Sequence, residues 1–494
     1  LISGFCNLTS AKIFPLQVQF SRQVFALLCV IAALAVYFLN PFGVELKAAL
    51  VIAFATLMIG LWVTEALPMP VVALLPLILF PLFGIAPIAA TATAYANPVI
   101  FLFMGGFMLG LAIEKWNLHR RIALNIVRLT GTSGDRIILG FIISTGAISM
   151  WLSNTATTMM MFPIALSVVK VMEENHAGKK GMANFAMSIM IAIALASNFG
   201  GVATIIGTPP NVAFAGFYNK RYNDTIAFAD WVMLCLPLSL LLMGILYLVM
   251  VKWLYPNSMK NDSATGDIIN KELAALGPFT KPEKRVFAIF LVTALLWITK
   301  DLINSVSPLK LDDNIIAIMG ATALFITPAE KKGESLLEWS DTSKMAWGIL
   351  LLFGGGIALA TALENVGLIE QLGKWFAQFG FSTLMLIFLV TIISLFVSEV
   401  MSNVAQVIVF APVVSGLAEA AQIHPLVLGI PMTLAASCAS MLPMGTPPNA
   451  IAFSSGYIKL KHMTRVGFIM NIISVILITL FCWLLLPRIF PLSP

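Results

Sequence analysis

Two short stretches put hydrogen-bonding side chains where their surroundings offer nothing to bond. WLSNTATTMMMFP at 151–163 and MSNVAQVIVFAP at 401–412 each hold a Ser-Asn pair, with a proline nine residues after the asparagine. The first lies in a run, 137–169, without a charged residue. Leaving such groups unpaired in hydrocarbon costs roughly 2–7 kcal/mol each. Two copies of GTPPN, at 207–211 and 445–449, add a second polar element. In each, the Pro pair stops the preceding helix. Thr208 and Thr446 fit the N-cap of a new one, and Pro209 and Pro447 fit its first turn. Gly200-Gly201 upstream frees the backbone to unwind and bare its carbonyls. The sum is hydroxyls, amides, freed carbonyls and helix N-termini, with no Lys or Arg in the motifs. Neutral oxygens suit a hard cation such as Na⁺. An anion is then held by helix N-termini and by the bound cations.

The elements that position these groups follow from their spacing. FMGGFMLGLAIEK at 103–115 resembles LFGGGIALATALE at 352–364, and both their double glycines and the Ser-Asn pairs lie 249 residues apart. Ser149 maps to Ser398 and Pro163 to Pro412 at the same offset, and the GTPPN copies are 238 apart. This is a duplicated architecture. The stretches 137–152 and 156–169 flanking the first tip are each about 22 Å long as helices, short for a crossing. Each Ser-Asn element therefore reads as a re-entrant hairpin, at 135–169 and 381–418, with Ser153-Asn154-Thr155 and Ser402-Asn403-Val404 at the tips. Residues 1–45 form an N-terminal segment with a first span at 25–39. The first repeat is 46–255, a polar linker on the inner side is 256–284, and the second repeat is 285–494. Five crossings per half invert the second half relative to the first, as in secondary transporters with interrupted helices. The expected fold is an all-α polytopic membrane protein with eleven transmembrane helices, two re-entrant hairpins and broken helices.

Composition agrees. Of 494 residues, 59% are hydrophobic and 11% charged, which excludes a soluble globular domain. The net charge of +6 sets orientation and does not signal nucleic acid. With the N-terminus inside, 22 of the 29 Lys and Arg fall on the inner side. The chain is expected in the lipid bilayer as a multi-pass protein of the cell (inner) membrane. Cysteines 6, 29, 235, 438 and 482 form no C-x-x-C pair, and histidines 119, 176, 424 and 462 lack ligand spacing, so neither disulfide framework nor zinc site is expected. An intramembrane serine hydrolase needs a base beside its serine. Neither hairpin contains His or Lys, so no enzyme is expected, and the paired, capped motifs favour an occluded site over a channel. Glu399, beside the second tip, has Met150 as its counterpart. It is either functional or a hydrogen-bond partner of the hairpin backbone. Glu65 reads as structural.

At these residues the chain resembles the divalent anion–sodium symporter family, the sodium-coupled dicarboxylate and citrate carriers. The resemblance covers nearly the whole chain and rests on the two Ser-Asn tips and the two Thr-Pro-Pro loops. It implies a homodimer in which a scaffold domain makes the interface and a transport domain moves as an elevator. It implies one sodium site at Ser149, Ser153, Asn154 and a carbonyl near Gly201. A second is implied at Ser398, Asn403 and carbonyls near Met401, Gly445 and Pro447. The substrate carboxylates then meet Asn154, Thr155, Asn403, Thr446 and Pro447, with Thr208 and Val404 at the matching places. Val404 departs from the pattern, since it stands where the first tip has a threonine. The implied function is secondary active symport of C4-dicarboxylates (succinate, malate, fumarate) with Na⁺. The alternatives in the same family are a sodium-independent dicarboxylate exchanger and a citrate or sulfate carrier.

Overall fold

The computed structural model describes residues 22–490, apart from 42, 176–180, 258, 260–262, 309, 331–332, 369–370 and 372–379. Among the described residues the regular structure is helical, and one isolated bridge pairs Pro328 with Ser335. Ten helices among the described residues are long and apolar enough to cross a bilayer. The protein is an integral, multi-pass membrane protein.

The first half opens with α1 (Arg22–Leu39), α2 (Leu46–Thr64), the short α3 (Met69–Val72) and α4 (Leu75–Leu82), α5 (Ile88–Ala92) and α6 (Pro98–Lys115). The amphipathic α7 (Leu118–Thr130) follows. Next come the pair α8 (Gly134–Ser149) and α9 (Asn154–Asn175), the broken segment α10 (Met182–Gly201) and α11 (Pro209–Tyr222), and α12 (Phe228–Leu248). After α13 (Ser263–Ala275) the second half repeats the order. It has α14 (Lys281–Val306), α15 (Asp313–Ile326) and α16 (Trp347–Asn365), then the pair α17 (Thr383–Ser398) and α18 (Asn403–Ala420). The broken segment α19 (Leu426–Ser437) and α20 (Pro447–Phe453) comes next, and α21 (Leu460–Leu484) and α22 (Leu486–Ile489) close the chain. Of the ten long helices, α9 and α18 are second arms of hairpins. Shorter apolar helices lie at Met69–Leu82, Asp313–Ile326, Thr383–Ser398 and Leu426–Ser437.

Local signals explain the boundaries. Asn97 caps α6, its Oδ1 accepting from Val99 N–H at 3.0 Å, with Pro98 in the first turn. Thr280 and Glu283 form a reciprocal capping box on α14. The site sits around α10, whose residues from Phe185 to Gly201 are all buried. Glycines let its neighbours approach: a Cβ on Gly200 would fall within 2.8 Å of the Gly146 carbonyl carbon on α8. At the far end of α11, Arg221 meets Glu364 of α16 at 2.9 Å and Glu419 of α18 at 2.8 Å, fastening the two halves together.

Two expectations are corrected. The second arm of the first hairpin continues past residue 169 to Asn175, because Lys170, Glu173 and Glu174 are good helix formers that carry it beyond the apolar stretch. The first broken helix does not unwind at Gly200-Gly201. It runs through both and opens over 202–208, so these glycines serve close packing. The linker 256–284 holds a helix of its own, α13, whose Glu272 pairs with Arg120 of α7.

Candidate functional site

The first tip is built by one cap and one hydrogen bond. Ser153 caps α9, its Oγ accepting from Ala156 N–H at 3.3 Å. This fixes Asn154 as the first helical residue, and Ser149 Oγ, at the end of α8, donates to Asn154 Oδ1 at 2.8 Å. The second tip repeats the bond. Ser398 Oγ donates to Asn403 Oδ1 at 2.7 Å and shares its hydrogen with the Ala436 carbonyl at 2.7 Å. A five-residue spacing lets the end of one arm meet the start of the next across a tight turn.

The unwound segments fold against these tips. Thr204 Oγ1 donates to the Met150 carbonyl at 2.6 Å, and Asn211 Nδ2 donates to the Thr204 carbonyl at 2.9 Å. Gly201 packs directly on the Asn154 amide, and Gly207 faces the carbonyls of Met150 and Gly201. In the second half Asn449 Nδ2 donates to the Leu442 carbonyl at 3.1 Å, the bond that Asn211 makes 238 residues earlier. Thr446 caps α20, its Oγ1 accepting from Asn449 N–H at 3.3 Å, and Pro447 opens that helix. Gly445 lies against Glu399 and the Leu442 carbonyl. Thus Ser149, Ser153, Asn154 and Gly201 come together, and so do Ser398 with Asn403 and Gly445 with its loop.

Other expected residues are less engaged. Thr208 is at the N-cap of α11 without a side-chain cap bond, and Ser402 likewise at α18. Thr155 and Val404 are half-buried in the first turns of α9 and α18 and make no side-chain hydrogen bond among the described residues. Met401 is half-buried in its turn. Glu399 does not bond the hairpin backbone, which corrects one of the two readings above. It accepts from the N–H groups of Ser440 (2.8 Å), Met441 (2.9 Å) and Leu442 (3.1 Å) and from Asn471 Nδ2 (2.6 Å). Three successive N–H groups make an anion nest, and with four donors on it the carboxylate has little capacity left for an ion. Glu65 ends α2 in the left-handed region, φ 49°, in keeping with a structural role.

The sequence reading missed Asn198, Thr204, Asn449 and Asn471. Asn449 and Asn211 close the GTPPN motif, so that signal was in view. Asn198 had none, because Ala436 occupies the matching place in the second half. A cavity of about 100 Å³ adjoins Ser153, lined also by Trp151, Leu152, Gly110, Glu114 and Lys344. Among the described residues no group of three His, Cys, Asp or Glu gathers to hold a metal. The side chains bonded at the two tips, Ser149 with Asn154 and Ser398 with Asn403, are neutral, and Glu399 is the carboxylate that lies against Gly445.

A family profile described as the sodium:sulfate symporter transmembrane region matches residues 21–488. The chain belongs to the divalent anion–sodium symporter family. Among curated members, the sodium-dependent dicarboxylate transporter SdcS of Staphylococcus saprophyticus is 37% identical over 458 residues, covering 91% of this chain and 88% of that protein. SdcS of Staphylococcus aureus is 38% identical over 462 residues, covering 92% and 89%. Two solved structures share the symporter chain's fold at low identity. The YdaH transporter of Alcanivorax borkumensis has a TM-score of 0.55 at 12% identity, over 96% of this chain and 99% of that one. MtrF of Neisseria gonorrhoeae, described among antimetabolite efflux pumps, has 0.58 at 13%, over 94% of each. At such identities they bear on fold alone.

Proposed function

We propose that this carrier moves C4-dicarboxylates such as succinate, malate and fumarate into step with Na⁺ by secondary active symport. The observation that carries the reading is the pair of Ser–Asn bonds, Ser149–Asn154 and Ser398–Asn403, each set against an unwound, oxygen-rich segment. One sodium ion takes Ser149, Ser153, Asn154 and the Gly201 carbonyl. The second takes Ser398, Asn403 and the carbonyls near Met401, Gly445 and Pro447. The two substrate carboxylates meet Asn154 with Thr155 and Thr208, and Asn403 with Thr446 and Pro447, Val404 adding an apolar wall. The start of α9 brings the partial positive charge of a helix N-terminus to the substrate. Relatives named sodium-dependent dicarboxylate transporters support the choice of ion and substrate. The carrier acts as a homodimer, with α8–α12 and α17–α21 moving as an elevator against the remaining helices, and the two hairpins enter from opposite sides of the membrane.

The test is uptake of labelled succinate into proteoliposomes. A steep rise with Na⁺, with a Hill coefficient above one, is expected. Uptake that is unchanged when choline replaces Na⁺, and that depends instead on internal dicarboxylate, establishes the exchanger in its place.

A further inference from the structure

The first tip is joined to the broken segment of the second half by one side chain that neither motif contains. Asn154 Nδ2 donates to Asn198 Oδ1 at 3.5 Å. Asn198 Nδ2 in turn donates to Thr446 Oγ1 at 3.2 Å and to Asn449 Oδ1 at 3.3 Å. A two-link path, forked at Asn198, therefore runs from the first hairpin to the helix start of the opposite broken segment. Asn198 is 1% exposed, so water cannot stand in for a lost partner. Both amide hydrogens and the carbonyl oxygen engage groups of the two half-sites. It also sits one turn before Gly201 on α10, on the same face, where the Asn154 amide packs.

The repeat sharpens the point. At offset 238 the second half has Ala436, which offers no side-chain partner. There Ser398, at the end of α17, bonds the Ala436 backbone carbonyl within its own half. The cross-connection is thus made once, from the first half to the second, by a residue without a symmetry mate.

We propose that Asn198 is a positioning residue that couples the first ion site to the carboxylate-binding loop at Thr446 and Asn449. The inference rests on the sodium-coupled reading above. When an ion draws the Asn154 oxygen into place, the Asn154 amide group sets Asn198, and Asn198, by donating to the Thr446 oxygen and holding the Asn449 amide, orients the Thr446 hydroxyl hydrogen toward a carboxylate. Occupancy of either site then favours occupancy of the other, and linkage requires the factor to be the same in both directions.

The experiment measures that factor. The purified carrier is melted across a Na⁺ series balanced with choline, with and without saturating succinate, and the two apparent Na⁺ affinities are compared. In the wild type, succinate tightens Na⁺ binding by about tenfold or more, within the usual span of coupled sites. In Asn198→Ala the ratio falls below about threefold while Na⁺ still raises the melting temperature. Ser197→Ala is the control: Ser197 is fully buried and accepts from Thr158 Oγ1 at 2.9 Å, but it lies off the path. It lowers the melting temperature and keeps the wild-type ratio. If Asn198→Ala does not fold, Asn198→Ser, too short to bridge both sides, is read in the same way. An Asn198 variant with the wild-type ratio overturns this proposal alone. A wild-type protein indifferent to Na⁺ overturns it together with the sodium-coupled reading.

Discussion

Gly201→Ala tests the first ion site by adding one methyl group. A Cβ at this position lies 3.0 Å from Cγ and 3.1 Å from Nδ2 of Asn154, and nearer still to Oδ1. Every polar atom of that amide is then inside ordinary van der Waals contact with the new carbon. The amide must leave the place where Ser149 Oγ holds it, or α10 must shift, although its residues from Phe185 to Gly201 are all buried. Overpacking of this kind costs about 1–3 kcal/mol. If the apo tip relaxes and the ion-bound tip cannot, the whole cost falls on the bound state, and Na⁺ affinity drops about 5- to 150-fold. Gly445→Ala is the contrast. Its nearest neighbours, Glu399 Oε2 at 3.3 Å and the Leu442 carbonyl at 3.4 Å, need give only slightly, so a change under about threefold is expected. The assay is succinate uptake into proteoliposomes against Na⁺ concentration, with the amount of folded carrier checked by size-exclusion chromatography. A Gly201→Ala carrier with wild-type Na⁺ activation, or one harmed no more than Gly445→Ala, refutes the placement of an ion against the Asn154 oxygen.

Val404→Thr puts a hydroxyl of nearly the same size where Thr155 has one, and should reorder succinate, citrate and longer dicarboxylates as competitors while sodium dependence persists; an unchanged ranking means residue 404 does not face substrate. Glu399→Gln turns an amide nitrogen toward N–H donors of 440–442 and should cost about 2 kcal/mol of stability, seen as a lower melting temperature, whereas Asn471→Ala removes one of the four donors and should cost less. In a cysteine-free background, Glu174→Cys, exposed at the end of α9, should resist an impermeant maleimide applied outside, and the exposed Thr383→Cys at the start of α17 should react; the same behaviour at both removes the inverted repeat.

Much of the fold was legible because lipid leaves a plain record in sequence: long charge-free runs, and polar residues that recur only where they bond one another. The matched offsets of 249 and 238 located both tips, both broken helices and the Ser–Asn pairs before any geometry was known. What escaped was set by packing. The uncharged run ends before Lys170 and set the expected end of the first hairpin, yet the helix continues unbroken to Asn175. Gly200 and Gly201 read as a weak point, yet they are held in helix because Gly146 and Asn154 need their missing side chains. Asn198 carries no spacing signal at all, since its role depends on a segment 248 residues away along the chain.

The unlike fastenings of the two unwound segments also record how far the duplicated halves have drifted. In one, the Thr204 hydroxyl holds the Met150 carbonyl; in the other, a carboxylate grips three amides and borrows Asn471 from α21. Each fastening is complete within its own half: Thr204 and Met150 belong to the first, and Glu399, the 440–442 amides and Asn471 to the second. The asparagine of α10 is different, because it reaches Thr446 and Asn449 of the other half. Each unwound segment can therefore loosen on its own, whereas a change at that asparagine is felt on both sides.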